Sequence, residues 1–475
     1  MINNNKKINK KNNTNKNVLG GKVLASGGFG CVFTPALKCQ GESRRTIGKI
    51  SKLMTEKHAI EEYEEINIIK ERLSSIRNYQ DLFLLYDATI CKPAKLSSSD
   101  LIEYTKKCKA LPKDDITKKN INKKLDKLML LNMPNGGLPI DNYLYSDGSL
   151  KKIYNVHLSL LKLLKEGIVP MNKKNVYHCD IKDSNVLVDV SREKLKTRLI
   201  DWGLSTEYTP FKQDPFPKSW RNRPLQFNVP FSVIIFSESF IEKYSQFIQE
   251  EGVPDEIQLK PFVINYINSW MKERGSGHYK FINEIMFTLF SNSLTTISED
   301  LKPKVVETQI TMSYIVNYII DVLVHFTKFR EDGTLNLREY LDNVFIQIVD
   351  IWGFITVYFP ILEILSNNYS SLTKNELKVF NQLQFIFVEY LYNPRHEPIN
   401  MNQLYSDLKK LGNLLYFTIN KVNNRNVSIK KSYNSYDNAN GIYKKTKRNN
   451  IKEKKLHKIS FKRRPNQRRF KNPIF

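Results

Sequence analysis

Residues 345–365, FIQIVDIWGFITVYFPILEIL, must leave water wherever the chain places them. A run of this length either crosses a bilayer or fills a protein core. It contains Asp350, Pro360 and Glu363, and an ionisable group near a bilayer centre costs at least ~2.5 kcal/mol. A helix buried in a core is the expected outcome, with no membrane span. The chain has the material for such a core: 475 residues, 41% hydrophobic and 11% aromatic. That length suits two or three compact units, or one bilobal enzyme.

The formal net charge of +26 is unevenly spread. Residues 1–17 contribute +5 and residues 430–475 contribute +14, leaving an ordinary +7 for the body between them. Both ends are rich in Asn and Lys and lack apolar periodicity, so they are expected to be disordered. The first residues also lack the apolar segment of a secretory signal. The basic 430–475 tail suits phosphates of nucleic acid or an acidic protein surface, and equally a merely solubilising role. The five cysteines (Cys31, Cys39, Cys91, Cys108, Cys179) are scattered, odd in number and without a CxxC pair. This pattern argues against a disulfide framework and a zinc site, and for a reducing, intracellular setting.

From Val18 to about Asn132 the pattern is strand-rich. KVLASGGFGCVFTPAL reads as two strands around a glycine turn, and RRTIGKISKL as a further strand. EKHAIEEYEEINIIKERLSS places Ile60, Tyr63, Ile66, Ile69 and Leu73 at helical spacing. DLFLLYDATIC and KLDKLMLLNMP read as buried strands, and the polar, Lys-rich residues 94–123 between them as an insertion. The character changes near Asn132–Gly137. Beyond it come an amphipathic helix, LKKIYNVHLSLLKLLKEGIVP, a loop with a strand hairpin, and long helical segments from about 230 to 420.

Phosphoryl transfer from a nucleotide needs phosphates held, a divalent metal placed and the attacking oxygen oriented or relieved of its proton. ASGGFGCV, residues 25–32, is a glycine turn whose backbone amides can approach phosphate oxygens, although alone it reads as a plain turn. Lys49 lies on the next strand, and Glu61, Glu62, Glu64 and Glu65 follow on the helix as partners for a lysine. Singly, each of these is an ordinary surface charge. VYHCDIKDSNVLVD, residues 176–189, then crowds His178, Asp180, Lys182 and Asn185 together. Asp180 suits a base or orienting group, Lys182 the transferring phosphoryl, and Asn185 a metal. LIDWGLS follows, with Asp201 at a strand end beside a glycine turn, a good place for Mg²⁺.

This ordered set resembles the eukaryotic-type protein kinase family: a glycine loop, a strand lysine, an HxDxKxxN loop and a DxG metal motif, in that order. Asp350-Ile351-Trp352-Gly353 is similar to the family's buried helix, whose Asp-x-Trp holds the catalytic-loop backbone. The resemblance spans roughly residues 18–415. It implies an α+β, bilobal fold: a disordered tail 1–17, a β-rich lobe 18–131, and a helical lobe 132–415 with an insertion near 240–335. A basic tail follows at 416–475. It further implies ATP between the lobes, held by Ala25, Ser26, Gly27, Gly28, Phe29, Gly30 and Val32 of the loop, by Lys49, and by Asn132 and Met133 of the linker. Mg²⁺, with Mn²⁺ an alternative, would lie on Asn185 and Asp201. Asp180 would be the base, assisted by Lys182, Lys49 and Glu65, and the acceptors would be Ser or Thr hydroxyls of proteins.

The sequence also departs from the family. Ala25 replaces the first loop glycine, TIGKISK leaves Lys52 competing with Lys49, and Glu61 competes with Glu65. Cys179 stands where most members carry arginine, which implies no switching through a phosphorylated activation loop. No APE motif follows Gly203. Instead NRPLQFNVPFSVIIFS, residues 222–237, resembles a segment of the divergent serine/threonine kinases of large cytoplasmic DNA viruses. A viral source would imply the host cytoplasm, with the virion as a further location. Two alternatives stay open: a small-molecule kinase, and an inactive kinase fold acting as a scaffold or nucleic-acid-binding protein.

Overall fold

A computed structural model describes residues 22–191, 194–212, 216–217, 220–251, 254–328, 334–393 and 395–436. The chain is α+β, with small antiparallel sheets and mostly helix, and it divides into two compact units. The division falls at Asn135–Gly136, inside the interval where the sequence changes character, and residues 67–85 group with the second unit.

The first unit is built on a five-stranded antiparallel sheet. Strands β1 (Lys22–Ser26), β2 (Gly30–Thr34), β3 (Lys49–Thr55), β4 (Thr89–Cys91) and β5 (Leu128–Pro134) lie in the order β1-β2-β3-β5-β4. Helix α1 (Glu56–Leu73) leaves β3 directly and buries Ala59, Ile66, Ile69 and Leu73 at three- to four-residue steps. Of DLFLLYDATIC only Thr89–Cys91 is strand. Tyr79–Leu82 is a single helical turn, and Asp87, at φ 53°, turns the chain before the strand begins.

Residues 94–123, read as a polar, Lys-rich insertion, bring Leu96, Leu101, Tyr104, Leu111, Ile116 and Ile121 into one core with Val23, Phe33, Leu53 and Leu130. Their apolar residues sit one per short turn, so no helical or strand period shows. One expectation about this unit is overturned: the cysteines are paired, Cys31 with Cys108 and Cys39 with Cys91, leaving Cys179 as the free thiol. The odd count came from one buried cysteine in the other unit, and spacing cannot reveal partners 77 and 52 residues apart. The inference of a reducing setting loses its basis with it.

The second unit carries a hairpin, β6 (Val186–Asp189) with β7 (Lys196–Leu199), and a two-residue pairing of Val176–Tyr177 with Thr206–Glu207. Around them are helices. The segment expected as an insertion contains α2 (Glu238–Glu251), α3 (Glu256–Arg274), α4 (Tyr279–Phe290) and α5 (Met312–Phe326), with α3 packed on α5. An Asp255–Gln258 capping box starts α3. The apolar run becomes α6 (Ile346–Thr356) and α7 (Phe359–Ser366). Its most apolar window, within Leu337–Ser366, is 94% buried inside the protein, and among the described residues no other helix is long and apolar enough to cross a membrane. It is a core helix.

The last helix, α8 (Met401–Tyr436), buries Leu404, Leu408, Leu411 and Leu415 and continues past the boundary expected at 416. The remainder of the expected C-terminal tail, and residues 1–17, lie outside the described residues. Gly412 of α8 sits against His157, where a Cβ would come within 2.8 Å of Nε2. His157 is buried with its Nδ1 at 3.1 Å from the Tyr358 hydroxyl. Burial pushes this imidazole down to about 4, against the Leu408 backbone carbonyl, which as an acceptor favours the charged form. A depressed folded pKa means that stability is complete above the unfolded value of 6.5 and drains away as pH falls through about 4. Urea midpoints taken from pH 7 to 4 should therefore lose on the order of 3 kcal/mol through this group, and His157→Gln should remove that part of the slope.

Candidate active site

The crowded stretch at 176–189 forms a loop between the Val176–Tyr177 pairing and β6, and one buried carboxylate shapes its backbone. Asp350 of α6 accepts the His178 N–H at 2.9 Å, the Cys179 N–H at 2.8 Å and the Asn172 amide at 2.7 Å. Hydrogen bonds to a buried charge contribute roughly 1.5–3 kcal/mol each. Together they hold Cys179 at φ 57°, a left-handed conformation that an L-residue seldom adopts without such support. On the next turn Gly353 lies so close to the loop that a Cβ would meet the Ile181 carbonyl oxygen at 2.7 Å. The Trp352 indole donates to the Phe227 carbonyl at 2.8 Å. The Asp-x-Trp-Gly run thus fixes two segments at once, residues 178–181 and residues near 227.

Asp180 is the hub of the loop. Lys182 Nζ donates to both its oxygens, at 3.0 and 2.7 Å. Asn185 Nδ2 reaches one oxygen at 2.9 Å and the Asp180 carbonyl at 2.9 Å, and Asn228 Nδ2 reaches the other oxygen at 2.8 Å. A carboxylate offers about four lone-pair sites, and all four are taken. Burial alone would raise this acid. Lys182, then Arg223 and Asn228, outweigh burial and hold it below the usual carboxylate range. Asp180 is therefore an anion near neutral pH, boxed in by donors.

Arg223 and Asn228 come from residues 222–237, a segment that is largely buried. Arg223 donates to the Cys179 carbonyl at 3.0 Å, and the Trp220 indole donates to the Cys179 sulfur at 3.0 Å. Burial pushes the Cys179 thiol up, so it stays protonated and inert. The position that lacks the family's arginine thus has a guanidinium against its backbone from elsewhere in the chain. His278, from the loop before α4, completes the surround. Burial holds it at about 4, with Lys182 disfavouring and Asp180 favouring its charge. The 222–237 segment stood out in sequence, but nothing local assigned a role to its Arg223 and Asn228 or marked His278, because these contacts depend on chain returns of roughly fifty to a hundred residues.

Asp201 is exposed at the end of β7, at φ 65°. Its setting is fixed by neighbours: Ile200 N–H donates to the Asn185 carbonyl at 3.0 Å, and His178 Nε2 donates to the Ile200 carbonyl at 3.0 Å. Trp202 is buried against His178 and Phe83, with ring centroids 4.8 and 5.6 Å away. Asn185 spends its amide N–H groups on Asp180, leaving an amide oxygen. That oxygen and the Asp201 carboxylate are hard donors of the kind Mg²⁺ prefers.

In the first unit the lysine choice changes. Lys49 is the outward residue, donating to the Asp87 carbonyl at 2.9 Å. Lys52, three positions on and 8% exposed, donates to both oxygens of Glu62 at 2.7 and 2.6 Å. Glu62 thus clasps Lys52; the sequence preferred Glu65, with Glu61 as its competitor, and Glu65 has an interaction of its own. Lys52 also lies beneath the glycine turn, its Cε 3.5 Å from where a Cβ on Gly27 would stand. Strand alternation explains the difference: Lys52 pairs across with Val32 and Leu131 in the sheet centre, whereas Lys49 opens the strand opposite Pro134.

The turn itself closes with Gly27 N–H to the Gly30 carbonyl at 2.8 Å, and Ser26 Oγ accepts the Lys109 and Ala110 N–H groups at 3.1 Å each. Gly30 must be glycine, since a Cβ would sit 2.2 Å from Met54 Cγ and 2.7 Å from the Leu53 carbonyl. Ala25 and Gly28 are exposed, Phe29 is 48% exposed against His58, and Val32 is half-buried. Asn132, expected to face a nucleotide, is 6% exposed and committed to the sheet: it accepts from Ser51 at 2.5 Å and donates towards the Cys39–Cys91 sulfurs. Met133, its neighbour, pairs with Ile50.

Neither a family model nor a curated protein matches this chain. The clamp can be tested directly. Asp350→Ala would strand three donors and lower unfolding free energy by at least about 3 kcal/mol in urea titration, with Asp350→Asn falling between it and wild type.

Proposed function

We propose that this protein is an ATP- and Mg²⁺-dependent kinase that transfers a γ-phosphoryl group to Ser or Thr hydroxyls of proteins, on a bilobal, kinase-like fold. The observation that carries the reading is Asp180, ionised and buried within a box of Lys182, Asn185 and Asn228, on a loop braced by Asp350. The glycine turn over the Lys52–Glu62 pair supports it independently. In this reading Lys52 neutralises nucleotide phosphates and Glu62 keeps its ammonium extended. Asn185 and Asp201 would hold Mg²⁺, which when bound neutralises phosphate charge. The segment at 222–237 favours a divergent, virus-encoded branch of such kinases.

Saturation of the Asp180 carboxylate defines the chemistry open to it. A hydroxyl can share its proton with Asp180 only if one existing donor lets go. Asn185 and Asn228 are each held by a second acceptor, the Asp180 and Ile181 carbonyls, whereas Lys182 is a flexible point charge. Lys182 therefore turns from Asp180 to the transferring phosphoryl as the hydroxyl takes its place. Asp180 orients the hydroxyl and receives its proton, and the Lys182 charge stays beside the oxygens that gain negative charge.

The test is transfer of labelled γ-phosphate from ATP with Mg²⁺ to basic and acidic proteins, followed by identification of the labelled amino acid. Label on Ser or Thr is expected. Asp180→Ala and Asp201→Asn should lower it by at least about 100-fold. Lys52→Ala should do the same while Lys49→Ala stays near wild type. A folded wild type that binds nucleotide yet transfers no label, exactly as its variants do, would make the chain a scaffold instead.

A further inference from the structure

Far from Asp180 in sequence, the second unit brings two of the chain's seven histidines into face-to-face contact. The rings of His325, in the last turn of α5, and His396, in the connection before α8, stack at 3.5 Å between centroids and 5° between planes. Asp321, one turn before His325, serves both. Its carboxylate lies 3.1 and 3.3 Å from His396 Nδ1 and 3.6 Å from His325 Nδ1, and its backbone carbonyl accepts from His325 Nδ1 at 2.8 Å.

We propose that Asp321, His325 and His396 form a binding site for a borderline transition-metal dication of the zinc and nickel class. One ligand atom from each residue already lies within 4.8 Å of the others. Ligands about 2.0–2.1 Å from a tetrahedral ion are about 3.3–3.4 Å apart, which is the spacing found between His396 Nδ1 and the Asp321 oxygens. The His325 Nδ1 bond to a helix carbonyl leaves Nε2 with the lone pair, the usual second contact of a metal-binding imidazole. Two imidazoles and one carboxylate suit zinc or nickel and not magnesium, which takes oxygen ligands. The stacked rings point their lone pairs side by side, so binding must rotate them about Cβ–Cγ until the nitrogens converge. His325 and His396, 41% and 39% exposed, have the room to do so, and solvent can fill a fourth position.

Most other groups of this chemistry among the described residues are paired or at least half-buried, His278 among the half-buried ones. Four cysteines are in disulfides and Cys179 is buried. His157 and His178 are buried against Tyr358 and the Ile200 carbonyl, and His58 meets Glu61 on the surface of α1. A bound ion would clip the end of α5 to the chain 75 residues later that leads into α8. Neither the site nor its function depends on phosphoryl transfer.

The test is calorimetric titration of the full chain with ZnCl₂ and with NiCl₂, beside MgCl₂, without reductant or phosphate. Zn²⁺ should bind at one site with micromolar affinity and raise the melting temperature, as any ligand of the folded state does. His325→Ala and His396→Ala should each weaken binding by at least tenfold, and the double variant should lose the thermal shift while melting like wild type in the absence of metal. Equal Zn²⁺ affinity in wild type and double variant would overturn the proposal, as would a folded wild type that binds none.

Discussion

One buried carboxylate sets the geometry of the candidate site. Asp350 is carried on the most apolar helix of the chain, where an isolated charge would be costly, and it is tolerated because three N–H donors converge on it. The dependence runs both ways. The helix can bury its charge only if the Asn172 side chain and the 178–179 backbone offer those donors, and that backbone holds its left-handed bend at Cys179 only because the carboxylate receives them. Gly353 and Trp352 extend the same fixation to Ile181 and Phe227, so Asp180 and Asn228 meet on a frame set from behind. Core packing and the placement of the chemistry are one arrangement here.

What could be read from the sequence was what is local. Asp180, Lys182 and Asn185 lie within six residues on one loop, and their mutual hydrogen bonds follow from that closeness. The apolar helix, α1 and the strands flanking the glycine turn also declare themselves by period. Contacts across chain returns do not. Lys49 and Lys52 are three apart on one strand, so motif spacing alone could not say which lies in the sheet centre and which opens the strand at its edge. Glu62 was visible as one of four glutamates, but nothing local marks which of them points at the sheet. The cysteine partners, the core role of residues 94–123 and the Arg223 guanidinium against Cys179 all depend on tertiary closure.

The segment at 222–237 shows how an unusual sequence can occupy a demanding place. Asn228 contributes one donor to the Asp180 oxygen and a longer one, 3.4 Å, to the Ile181 carbonyl, while Arg223 lies under the same loop. A neutral amide and a buried cation thereby share the task of steadying an anion. The cost is a guanidinium deprived of water, whose own ionisation is made less favourable by burial. Such a group persists where the anions Asp180 and Asp350 stand nearby to balance it.

The disulfides of the first unit are nested: the loop closed by Cys39 and Cys91 lies wholly inside that closed by Cys31 and Cys108. Chain-entropy arguments assign a 77-residue ring about 4–5 kcal/mol, with the inner ring adding less because its ends are already confined. The topology has a second consequence. A peptide bond cut anywhere between Cys39 and Cys91 leaves the two pieces joined by both bridges, and a cut between Cys91 and Cys108 leaves them joined by one. Backbone continuity through α1 and the Asp87 turn is therefore dispensable for keeping β2, β3 and β5 in one covalent body. A protease nick there would stay hidden until the disulfides were reduced.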